Sequence, residues 1–176
     1  RSSFHPQSYE EREAIKQKYT DGAAYFLSAG SIHPRKNGMN LLKAFSLFKK
    51  RQQSTLKLVF AGRLAWKYEA FTQSLKSYKY RNDVILTGYL PDEELAALTA
   101  GAYAMVYPSF FEGFGLPVAE AMQSGVPVIT SENSAMQEIA GDAALYADPH
   151  NIQSIADQLM RIYKDERLRG ELQLKG

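Results

Sequence analysis

Two acids, Glu112 and Glu120, stand seven residues apart by count of the gap, with Gly113, Gly115 and Pro117 between them. Just upstream, Ala102 to Tyr107 is an apolar run that reads as a buried strand. Downstream, Val118, Ala119 and Met122 begin a helical apolar face, and Pro117 suits a first helical turn, where its missing N–H costs nothing. The unit therefore reads strand, glycine loop, helix N-terminus. Its glycines let backbone approach a ligand or take positive φ. Amides near Gly115, Leu116 and Val118 would face outward at the positive end of the helix dipole, which suits an anion. Both carboxylates can face the same cleft. A carboxylate accepts from two neighbouring hydroxyls, so the pair suits a phosphate carrying hydroxyl-rich groups. The plainer alternative is a solvated Glu120 beside an ordinary loop.

The elements that must hold this unit alternate regularly. Tyr9 to Tyr19 reads as a short helix closed by Asp21-Gly22. Ala24 to Ala29 reads as a strand, Met39 to about Gln52 as a helix, and Leu56 to Ala61 as a second strand. A helix is expected from Trp66 to Tyr78, a third strand over Val84 to Gly88, and a helix opening at Pro91. After the central unit come a strand over Pro127 to Thr130, a short helix over Ser134 to Ala140 and a short strand over Ala144 to Tyr146. Helices over Asn151 to Lys164 and Glu166 to Lys175 close the chain. The strands are continuous apolar runs, as in strands covered on both faces. The fold class is α/β, a Rossmann-like parallel sheet of about six strands with helices on both faces. Residues 1–22 read as a linker and short helix, 23–165 as the Rossmann-like domain, and 166–176 as a terminal helix. From its start at Arg1 and its end at Gly176, the chain is expected to be a piece of something longer.

Ligands of such sheets bind beyond the carboxyl ends of the strands. The loop after the first strand, Gly30 to Asn37, sets Arg35 and Lys36 side by side before a helix. It is not a P-loop, since no glycine precedes the lysine and no Ser or Thr follows it. Cations oppose the helix dipole at that end, so they are disfavoured there unless an anion, such as a diphosphate, joins them. After the third strand, Gly88-Tyr89-Leu90-Pro91-Asp92 turns into a helix whose Asp92, Glu93 and Glu94 suit an ordinary helix start.

Composition bounds the remaining choices. The chain has 176 residues, 45% hydrophobic and 23% charged, and a net charge of +2. That is one globular domain, too near neutral for nucleic acid to be its main partner. It has no cysteine, and His5, His33 and His150 lack metal-ligand spacing, so neither a disulfide framework nor a metal is expected. No run has membrane-spanning length. Gly113-Phe114-Gly115 lacks the third glycine of the dinucleotide fingerprint and follows the wrong strand for it. Ser109 lies outside any nucleophile elbow. Lys43, Lys49, Lys50 and Arg51 fit a solvated helix face better than a lipid contact.

Glu112-Gly113-Phe114-Gly115-Leu116-Pro117, followed by Glu120-Ala121-Met122, resembles the paired-glutamate motif of retaining glycosyltransferases of group 1 (family 4), which have the two-domain GT-B fold. The resemblance covers roughly Phe4 to Lys164 and implies the carboxyl-terminal, donor-binding half. It implies transfer of a sugar from a nucleoside diphosphate sugar to an acceptor, a sugar, lipid or other small molecule, held by a missing amino-terminal domain. By the same analogy Glu120 accepts ribose hydroxyls, and Glu112 accepts hydroxyls of the transferred sugar and favours positive charge at its anomeric carbon. Lys36 with Arg35 binds the diphosphate, as do amides of the Gly113, Phe114, Gly115 and Leu116 segment. Tyr89 or Leu90 flanks the base. Many members place arginine directly after the glycine; here that position is Ser31, which leaves Arg35 or Arg63 to supply the second positive charge. No metal or cofactor is implied beyond the substrate. The isolated chain is expected to bind nucleotide weakly and to transfer nothing. The expected location is cytoplasmic, with peripheral contact at the inner membrane face left open. Alternatives are a nucleotide-sugar epimerase of the same architecture and a nucleotide-binding module without chemistry.

Overall fold

The computed structural model describes residues 3–111 and 115–176, the side chain of Ser134 apart. Six strands form one parallel sheet in the order β3-β2-β1-β4-β5-β6: β1 Tyr25–Ala29, β2 Lys57–Ala61, β3 Val84–Leu86, β4 Ala104–Tyr107, β5 Val128–Ser131 and β6 Ala144–Ala147. The chain winds outward from β1 to β3, then returns to start β4 on the other side of β1. The switch in strand order therefore falls between β1 and β4.

The helices divide by face. Phe26 of β1 and Ala104 and Val106 of β4 point into a core with α2 (Gly38–Gln52), α3 (Glu69–Lys76), α7 (Ile152–Lys164) and α8 (Glu166–Lys175). Their alternate neighbours Tyr25, Leu27, Ala29, Met105 and Tyr107 meet Ile15 of α1 (Tyr9–Thr20), Leu98 of α4 (Asp92–Ala100), Val118 and Ala121 of α5 (Leu116–Gln123) and Met136 of α6 (Ser134–Ala140). Every residue of β1 is buried, which explains why this strand reads as a continuous apolar run. Phe26 holds its layer through edge contacts to Phe48, Tyr103 and Phe45, with ring centres 5.3, 5.8 and 6.5 Å away.

Two elements differ from the sequence reading. The helix expected from Trp66 begins only at Glu69 and ends at Lys76. Lys67 adopts a left-handed conformation (φ 52°), so the chain cannot enter the helix before it, and Trp66 is left exposed. The basic loop contains a short 3₁₀ turn, Pro34–Lys36, with Pro34 at its start.

Helix α1 opens with a capping box between Ser8 and Glu11, and Ile15 packs into the α5-side core. It is clamped to α4 at Glu94, which accepts from Lys18 Nζ at 2.9 Å and from Tyr19 Oη at 3.0 Å. The Lys18 bond first, and then the Tyr19 bond, outweigh partial burial and hold the Glu94 carboxyl below its ordinary value of 4.5. A depressed carboxyl stabilises the fold above the unfolded value and loses that contribution as pH falls through the folded one. Glu94→Gln is therefore expected to cost about 1 kcal/mol or less near neutral pH, because the pair is partly exposed. The variant should then converge with the parent as pH drops below about 4.5. Melting temperatures of both proteins at pH 7 and pH 3 check this; a difference that persists at pH 3 contradicts it.

Candidate nucleotide site at the carboxyl edge of the sheet

The site begins at the ends of β1 and β2. Gly30 N–H donates to Ala61 O at 2.9 Å, Ile32 N–H to Arg63 O at 2.9 Å and Ala65 N–H to Ile32 O at 3.0 Å. The two strands thus stay zipped beyond their formal ends, and the basic loop leaves from a fixed base. Asn37, buried and in a left-handed conformation (φ 63°), anchors the far side of that loop. Its Nδ2 donates to Pro108 O and Pro149 O, both at 2.8 Å. Arg35 braces the β4 loop through its backbone: its carbonyl accepts from Phe110 N–H at 2.9 Å and from Ser109 Oγ at 3.0 Å. Loops from β1, β4 and β6 are therefore one hydrogen-bonded assembly.

Lys36 rises from this assembly. Its Nζ donates to Tyr107 Oη at 2.5 Å. The centre of the Tyr107 ring is 4.9 Å from Nζ, so the ammonium lies toward the hydroxyl end of the ring. Tyr107 packs with Val118 and Ala121, so the lysine head lies on the α5 side of the sheet. Glu120 belongs to that helix and is 4% exposed, which excludes the solvated alternative for it.

Helix α5 starts as the sequence requires. Gly115 is its N-cap in a left-handed conformation (φ 57°), no described side chain caps it, and Pro117 sits in the first turn. A Cβ at Gly115 would lie 2.5 Å from Met136 Cε and 2.9 Å from Ile139 Cδ1, so α6 closes the space a side chain would need. Leu116 is half exposed. Glu112, Gly113 and Phe114 lie outside the described residues. At the ends of β2 and β3, Arg63 and Tyr89 are exposed and Leu90 is half-buried against the α5-side core. Arg35 is exposed as well.

A cavity of about 280 Å³ opens at the same edge on the α2–α3 side. It is lined by Phe60, Tyr68, Phe71 and Phe110 together with Ser31 and Lys36. Glu120, Leu116, Tyr89, Leu90 and Arg63 do not line it. Lys36 is thus shared between this hollow and the α5 side. Among the described residues, no group of acids and histidines could hold a metal ion, and no helix is long and apolar enough to cross a membrane.

The sequence matches the family described as glycosyl transferases group 1 over residues 10–175. The chain belongs to this family. It is 36% identical over 169 residues to O-antigen chain mannosyltransferase B of Escherichia coli, covering 96% of this chain and 44% of that protein. It is 30% identical to mannosylfructose-phosphate synthase of Agrobacterium fabrum, covering 98% of this chain and 40% of that protein. The chain therefore spans less than half the length of these curated relatives. Among solved structures, the carboxyl-terminal domain of a group 1 family protein from Francisella tularensis superposes with a TM-score of 0.83 at 24% identity, covering 99% of this chain and 92% of that one. Anabaena HepE in complex with UDP and glucose gives a TM-score of 0.85 at 16% identity, covering 97% of this chain and 47% of that protein. These two likenesses carry the fold. The six-stranded parallel sheet with helices on both faces is the architecture read from the sequence.

The Lys36 head and Glu120 both lie on the α5 side of the sheet. Sequence reasoning missed Tyr107 and Asn37. A tyrosine ending an apolar strand reads as core, and an asparagine after two cations gives no sign that it ties three loops.

Proposed function

We propose that this chain is the donor-binding, carboxyl-terminal half of a retaining glycosyltransferase, with the acceptor held by an amino-terminal domain. The observation that carries the reading is the Lys36 ammonium, drawn to the α5 side of the sheet at the switch between β1 and β4. The donor is a nucleoside diphosphate sugar. Lys36 binds its diphosphate, with Arg35 or Arg63 as the second cation, and Gly115 and Leu116 amides meet its oxygens. Glu120 accepts the ribose hydroxyls, and Glu112 faces the transferred sugar. Ser31, Tyr89 and Leu90 border the nucleotide. Several relatives are named as mannosyltransferases, which favours a mannosyl group as the sugar transferred.

As the bond between sugar and phosphate breaks, the departing diphosphate gains negative charge. Fixed cations and helix amides stabilise that charge without reorganising, so no metal is called for. One such domain gives one wall of a cleft, and the other wall would come from the acceptor-binding half. The isolated chain accordingly binds nucleotide weakly and transfers nothing, since transfer needs both substrates positioned together. The location that fits this role is cytoplasmic.

The test is calorimetric titration of the chain with UDP, GDP and ADP, repeated on Lys36→Ala. One diphosphate should bind, and the variant should lose roughly 10-fold or more in affinity, the scale of a charge-assisted bond. In a protein with both halves, Lys36→Ala should cost more in kcat than in donor affinity. Binding indifferent to Lys36 would refute the proposal, and interconversion of free nucleotide sugars without acceptor would favour an epimerase.

A further inference from the structure

The geometry points to Tyr107 as a positioning residue that holds the Lys36 ammonium for the diphosphate; this rests on the donor-binding reading above. Other tyrosine hydroxyls among the described residues act as donors, Tyr19 and Tyr103 to the carboxylates of Glu94 and Glu166 and three more to the backbone. Tyr25, Tyr78 and Tyr146 donate to the carbonyls of Leu98, Leu42 and Gly141, each at 2.5 Å. Tyr107 instead receives a lysine from a different loop, 71 residues away in sequence.

Every part of Tyr107 except its hydroxyl end is fixed by the core. It is the last residue of β4 and only 2% exposed, and its carbonyl accepts from Thr130 Oγ1 at 2.9 Å. Its Oη is therefore placed by the sheet itself. Lys36 has the opposite character: a flexible stem, whose Cε lies 3.5 Å from where a Cβ on Gly30 would stand. A lysine ammonium has three donors, and the tyrosine oxygen takes one of them. That bond restrains the head on the α5 side before any ligand arrives. A cation ordered in advance loses less freedom on binding and is already aimed where charge will develop.

The test is a double-variant cycle on this chain, with Tyr107→Phe, Lys36→Ala and the two combined, titrated with UDP and GDP and, as a control, with the free nucleosides. Tyr107→Phe keeps the ring and its packing. It should weaken diphosphate binding several-fold, leave nucleoside binding unchanged, and add nothing in the Lys36→Ala background. A purely structural tyrosine would weaken diphosphates and nucleosides alike, in both backgrounds, and that result overturns the assignment. So does unchanged diphosphate binding by Tyr107→Phe while Lys36→Ala loses it. If neither variant alters diphosphate binding, both the positioning role and the donor-binding reading fail.

Discussion

Replacing Gly62 by alanine is expected to lower the melting temperature by roughly 6–12 °C, the equivalent of about 3 kcal/mol in a domain of this size. The reason is the contact between the ends of β1 and β2. A Cβ at Gly62 would lie 2.1 Å from Gly30 O and 2.6 Å from Gly30 C, which are backbone atoms that no rotamer change can move away. Relief requires the strand ends to part, straining the bonds that tie Gly30 to Ala61 and Ile32 to Arg63. Gly88 makes a sharp control. It also has positive φ (73°), but nothing lies within 4 Å of its would-be Cβ. Gly88→Ala should therefore cost only the conformational term, about 1 kcal/mol. Thermal melts of the two variants test the argument: equal losses would mean that the close approach at Gly62 contributes nothing. Gly62→Ala should also weaken nucleotide binding beyond its effect on stability, since the loop bearing Lys36 leaves from Gly30.

The sheet was legible because its strands are covered on both faces. Tyr25 to Ala29, buried at every position, has no alternative as an exposed strand, and the intervening helices force a parallel crossover. Lys36 was legible for an electrostatic reason, a cation placed where a helix dipole disfavours it. The rest depends on contacts between residues far apart in the chain. Nothing near Asn37 announces that two proline carbonyls, Pro108 and Pro149, will converge on its amide. The hydroxyl of Tyr107 is silent in sequence because the ring alone satisfies the apolar pattern. The start of α3 was misplaced because apolar spacing does not register the left-handed turn at Lys67. The hollow on the α2–α3 side comes from how Phe60 and Phe71 meet, with ring centres 4.9 Å apart, and has no local signature. Residues that tie loops together thus leave the least trace in sequence, and a cation at an unfavourable helix end leaves the most.

Glu120→Gln is expected to weaken binding of the cognate nucleoside diphosphate by about 10- to 100-fold, the scale of hydrogen bonds to a charged acceptor. The Glu120 side chain is 4% exposed on α5, and a buried carboxyl is kept only where hydrogen-bond donors meet it. Glutamine keeps the shape and one acceptor oxygen but loses the charge and replaces the other oxygen with a donor, so it cannot receive one hydroxyl on each arm. A general loss of packing would weaken every ligand, whereas a lost ribose contact would not. The deciding comparison is therefore with the dideoxyribose analogue of the same diphosphate. Parent and variant should bind that analogue alike, and both should bind it about as weakly as the variant binds the natural nucleotide. If Glu120→Gln weakens the analogue as much as the natural nucleotide, the residue is holding α5 in place and the ribose is recognised elsewhere. The same titrations bear on Lys36. If, as proposed, Lys36 binds the diphosphate and Glu120 the ribose, they act on separate parts of one ligand, so losses from Lys36→Ala and Glu120→Gln should add for the natural nucleotide, while for the analogue only the lysine loss should remain.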